Sequence, residues 1–96
     1  DIELNHEVAQ GTYANLAIIS HSTSEFIVDF VRIMPGIPKA EVKSRIILTP
    51  EHAKRLMLAL QDNIRKFEQI NGTIRMPEGN PLGAVFPIDI EPKGQA

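Results

Sequence analysis

The sequence predicts an α+β fold: a three-stranded antiparallel meander followed by one long helix packed on one face. Three observations carry that expectation. Short apolar runs rich in β-branched and aromatic residues are separated by polar turn clusters. A single 22-residue stretch from Pro50 to Asn71 has apolar residues at helical spacing between good caps. The chain has 96 residues, which is one domain's worth of material. Hydrophobic residues make up 43%, isoleucine alone fills 13 positions, and the net charge is -2, so the composition is that of a folded domain rather than a disordered one.

Tyr13 to His21 reads as the first strand, with Leu16, Ile18 and Ile19 as its apolar stretch. The cluster His21, Ser22, Thr23, Ser24 is turn material, because short hydroxyl side chains bond nearby backbone. Glu25 to Met34 reads as the second strand of a hairpin. Alternation puts Phe26, Val28, Phe30 and Met34 on one face and Ile27, Val31 and Ile33 on the other, with Glu25 and Asp29 among the latter. A sheet with one solvated face shows polar residues at every second position. This strand does not, so both its faces are expected to be covered. Pro35 to Pro38 forms a loop. Ala40 to Thr49 is the third strand, with Val42, Ser44, Ile46 and Leu48 on one face and Lys43, Arg45 and Ile47 on the other. Ile2–Leu4 or Val85–Ile90 is a candidate for an added edge.

The helix has Thr49 as N-cap, Pro50 in the first turn and Glu51 beside the positive end of the dipole. Ala53, Leu56, Met57, Leu60, Ile64 and Phe67 form its apolar stripe, and Asn71-Gly72 ends it. Twenty-two residues span about 33 Å, the length of a ten-residue strand, so the helix is long enough to lie along the sheet. Leu60, in mid-stripe, is expected in the core. Residues 1–75 form the domain. Residues 76–96, with Pro77, Pro81, Pro87, Pro92 and several glycines, read as an extended arm. Its apolar residues Val85, Phe86, Ile88 and Ile90 suit docking on another surface.

Few chemistries are visible. The chain contains no cysteine, which excludes disulfides, cysteine-ligated metals and thiol nucleophiles. His6, His21 and His52 share no metal-ligand spacing, and no glycine-rich phosphate loop occurs. Ser22 or Ser24 with His21 and Asp29 does not make a nucleophile elbow. Glu25 and Asp29 stand about 13 Å apart on one strand face, too far for most paired-carboxylate chemistry. Asp29 is expected instead to be structural, paired across strands with Arg45 or Lys43. No cofactor and no enzymatic activity are expected.

Charge is unevenly placed. Between Arg32 and Lys66 there are eight basic and three acidic residues, an excess of +5 in a chain of net -2. Lys39, Lys43, Arg45, Lys54 and Arg55 are the candidate contacts for an anion or a nucleic acid, although no recognition motif accompanies them. No apolar window is long enough to span a membrane. The first ten residues show no charged-then-apolar leader, and the absence of cysteine suits a reducing compartment, so a cytoplasmic protein is expected.

The stretches YANLAIISHSTSEFIVDFVRIMP and VKSRIILTPEHAKRLMLALQDNIRKFE resemble a family of small bacterial and archaeal proteins catalogued as a domain of unknown function. Its marks include Tyr13, Asn15, Phe26, Asp29, Phe30, Pro35, Arg45, Pro50, His52 and Leu60, and the pattern covers about Asn5 to Ile70. The resemblance implies no activity. Antiparallel strands before one long helix are also similar in topology to the export chaperone SecB, an oligomer that holds unfolded chains.

The functional expectation is a non-enzymatic interaction or scaffold protein. One helix covers one face of a sheet whose central strand is apolar on both. A homodimer is therefore expected to cover the second face through Ile27, Val31 and Ile33, with Val85, Phe86 and Ile88 of the arm reaching across. The alternatives are a nucleic-acid-binding module using the basic stretch and a SecB-like holder of apolar segments.

Overall fold

A computed structural model describes residues 1–77 of the chain. The element order is α1 (His6–Ala9), β1 (Leu16–His21), β2 (Phe26–Arg32), β3 (Glu41–Leu48) and α2 (Pro50–Asn71). The strands form one antiparallel sheet in the order β1-β2-β3, so the fold is α+β, a meander followed by a long helix.

The turn between β1 and β2 follows from its serines. Ser22 Oγ accepts the backbone N–H groups of Ser24 and Glu25, and Ser22 N donates to Glu25 O. Asn15 extends the hairpin one step beyond β1. Its side-chain amide donates to Ile33 O and its side-chain carbonyl accepts from Ile33 N, both at 2.9 Å. A side chain thus completes a backbone ladder that would otherwise end open.

Partners opposite one another in the ladder share a face. One face carries Ile19, Val28 and Ile46, with His21, Phe26 and Leu48 beside them. The other carries Ile18, Asp29 and Arg45, with Ser20, Ile27 and Ile47 beside them. The register shifts between Phe30 and Val31, which sets Val42 opposite Val31. Simple alternation keeps Val42 with Ile46; the irregularity moves it to the side of Val31. Ile2 and Leu4 are exposed and add no edge strand.

The core is small. Val28, 9% exposed, and Val31, 2% exposed, are the buried hydrophobic residues among those described. Both belong to the central strand, one on each face.

The helix begins and ends where its caps dictate. Thr49 Oγ1 accepts from His52 N at 3.2 Å, and Pro50 and Glu51 complete the first turn. Gly72 ends it with φ 88° and ψ 167°, a region only glycine occupies easily, and its N–H donates to Glu68 O. Glu68 then accepts the N–H of Ile74 at 2.8 Å through its side chain, tying down the following segment. α1 is one turn, capped by Asn5, whose side chain accepts from Glu7 N at 2.7 Å.

No residue of α2 is buried. The expectation that Leu60 lies in the core is corrected: it is 56% exposed. The first turns of the stripe border a space shared with the sheet, but the helix stands off it.

Candidate functional site

The space between helix and sheet is an open apolar cleft of about 610 Å³. Its sheet wall is Ile19, Phe26, Val28 and Leu48. Its helix wall is Pro50, Ala53, Leu56, Met57 and Leu60, with Lys54 contributing the single charged side chain. The geometry follows from one short connection and a helix cap. β3 passes into α2 through Thr49 alone, so the helix must start at the end of the sheet. The capped first turn then fixes its direction over the face that bears Ile19, Val28 and Leu48. A second apolar hollow continues along the helix between Asn63, Ile64, Phe67 and Ile74.

Seven large apolar side chains on or beside these surfaces (Ile19, Ile46, Leu56, Met57, Leu60, Ile64 and Phe67) are between 39% and 56% exposed. Full burial of such a side chain stabilises by about 1.5–3 kcal/mol, so the unburied halves of all seven withhold roughly 5–10 kcal/mol. That matches the whole net stability of an ordinary domain, about 5–15 kcal/mol. Contiguous exposed apolar surface of this extent is uncommon on a small domain.

Among the described residues no group of three or more His, Asp or Glu is gathered as metal ligands. No helix among them is long and apolar enough to cross a membrane. His21 stacks on Phe26 with ring centroids 5.3 Å apart, at the end of the hairpin.

The candidate site residues from the sequence are dispersed by the fold. Asp29 and Arg45 face each other across β2 and β3 on the face opposite the cleft. Arg45 Nε donates to Asp29 Oδ1 at 2.7 Å and Nη2 to Oδ2 at 2.9 Å, a two-pronged pair. The Asp29 side chain is 14% exposed and that of Arg45 is 62% exposed. The hydrogen bonds from Arg45 hold the Asp29 carboxyl below its ordinary value of 3.8, outweighing the opposing effect of burial. The same bonds raise the Arg45 guanidinium.

Lys43 pairs with Glu41 at 3.2 Å and Arg55 with Glu51 at 2.8 Å. Three of the five candidate anion contacts are thus neutralised within the chain. Lys39 lies in the loop before β3, while Lys54 lines the cleft. The basic stretch does not gather on one surface: Arg45 and Lys54 are on opposite faces of the sheet. Arg65 and Lys66 both bind Asp62, whose carboxyl is lowered chiefly by the Arg65 bond.

Of the expected interface residues, Val31 is enclosed by its own chain, so it presents no surface. Ile27 and Ile33 are half-buried. Val85, Phe86 and Ile88 lie outside the described residues. The spacing of the stripe places Leu60 in the core, because the pattern shows which residues share a helix face and not how closely another surface approaches it.

No match was found among curated proteins or among solved structures. A family model described as a protein of unknown function (DUF3467) matches residues 1–76, and the chain belongs to that family.

Proposed function

We propose that this protein is a small non-enzymatic interaction protein that works as a homodimer, with a second copy covering the cleft. The observation that carries this reading is the unburied stripe of α2, beside a sheet wall on which Ile19 is exposed as well. A chain that leaves so much of its best apolar surface open gains most by sharing it. A homodimer interface is commonly an apolar patch of this kind, resembling a domain core cut in half.

The basic stretch supports this reading better than nucleic-acid binding, because three of its five candidate contacts, Lys43, Arg45 and Arg55, are spent on Glu41, Asp29 and Glu51. A second reading, a holder of apolar segments from other chains, is supported by the near-absence of polar groups in the cleft. The two readings use the same surface and separate by experiment. A dimer that is part of the fold melts at a temperature that rises with protein concentration. A monomeric holder shows a melting temperature independent of concentration and delays the aggregation of an unfolded client.

A further inference from the structure

Apart from Met57, whose mirror position is Asn63, the apolar stripe of α2 is symmetric about one residue. Leu56 and Ile64 lie four residues to either side of Leu60, and Ala53 and Phe67 lie seven to either side. On a helix of 3.6 residues per turn all four point within about 40° of Leu60. The charged residues of the helix point at least about 80° away by the same arithmetic. The acidic Glu51 and Asp62 bind Arg55, Arg65 and Lys66 on that far side. Both apolar hollows, the cleft and the one beside Phe67, open along this stripe.

From this symmetry we infer that the dimer is built by two α2 helices lying antiparallel across the mouths of the clefts, with the two-fold axis at Leu60. The inference rests on the dimer reading above and specifies it. An isologous contact requires a self-complementary patch, so that a residue a given distance from the axis meets its mirror position. Antiparallel helices related by an axis at Leu60 bring Leu60 against the partner's Leu60. Leu56 and the partner's Ile64 then stand at one level, about 6 Å from the axis. Ala53 meets the partner's Phe67, a small side chain against a large one, which lets the two surfaces interdigitate.

Charge agrees with the same register. Lys54 is the one basic residue of α2 that makes no ion pair among the described residues, and it borders the cleft. In the antiparallel register it falls on the same flank as the partner's Glu68, with a height difference of about 3 Å. One carboxylate oxygen of Glu68 accepts Ile74 N–H, and the other is left for a cation.

The chain has no cysteine, so single cysteines report position without background. Leu60→Cys is expected to form a disulfide to itself under mild oxidation, shifting most of the protein to twice the 10.7 kDa chain mass. Leu56→Cys and Ile64→Cys are each expected to stay uncrosslinked alone and to crosslink when mixed. Ile47→Cys, on the opposite sheet face, is expected to stay uncrosslinked. Light scattering on the unmodified chain runs alongside. A dimer that crosslinks at Ile47→Cys, or that fails at both Leu60→Cys and the Leu56→Cys/Ile64→Cys mixture, overturns the antiparallel seam and leaves the dimer standing. A monomer by light scattering overturns both.

Discussion

Asp29 and Arg45 are direct cross-strand neighbours joined by two hydrogen bonds of 2.7 and 2.9 Å, on the face of the sheet turned away from the cleft. The pair joins the central strand to β3 beside the register shift that brings Val42 opposite Val31. The two bonds engage both oxygens of the carboxylate and clamp the pairing of the two strands.

Asp29→Ala is therefore expected to lower the melting temperature by a few degrees without moving the dimer seam. Arg45→Ala is expected to do the same, because it leaves the largely enclosed Asp29 carboxylate unpaired. A melt of Asp29→Ala indistinguishable from that of the parent contradicts a clamping role.

The pH dependence of the same pair has a definite sign. The folded-state value of Asp29 is depressed below 3.8, and that of Asp62 also. Such groups stabilise the fold fully above their unfolded value and lose that contribution as pH falls through the folded one. Acid destabilisation is thus expected below about pH 4, continuing to lower pH. Asp29→Asn removes one of the titrating groups, so its melting temperature is expected to fall less steeply between pH 4 and pH 2.5. Parallel curves for variant and parent contradict this.

Gly72 closes α2 at φ 88° with open space where a side chain would project. Gly72→Ala meets no steric neighbour, so any cost arises from the backbone alone. Destabilisation by more than about 1 kcal/mol is expected from an alanine forced into that region. Chemical denaturation measures it, and a neutral result shows that the chain can leave the helix by another path.

Leu60→Ala separates folding from assembly. If Leu60 meets its own copy on the two-fold axis, its truncation removes apolar contact from both chains at once. Dissociation is expected to become easier by about 2–5 kcal/mol for each side chain lost. The loss appears as a dimer that dissociates at higher concentrations. A variant that loses monomer secondary structure and keeps its dimer affinity contradicts the placement.

Charge reversal tests the register. Lys54→Glu and Glu68→Lys are each expected to weaken the dimer, and the double variant to recover part of the loss. Strictly additive losses show that the two positions do not meet.

Much of the fold is legible in the sequence because its signals are local. Thr49, Pro50 and Gly72 bound the helix, the Ser22 turn makes the hairpin, and Phe26 to Arg32 alternates as a strand apolar on both faces. α1 is harder to read: one turn offers no periodicity, and Asn5 as its cap is the only cue. The register shift at Val31 is silent in the sequence, since alternation is the simplest reading of Val42 to Leu48. Least legible is what the α2 stripe touches. Spacing shows that Leu56, Leu60 and Phe67 seek an apolar surface. It does not state whether that surface belongs to the same chain.

The claim that a second copy covers the cleft is tested most directly by the molar mass of the full chain in solution, measured by light scattering across a dilution series. The account predicts a species of twice the 10.7 kDa chain mass at micromolar concentrations and above, dissociating only on further dilution. A monodisperse species of 10.7 kDa throughout that range contradicts it.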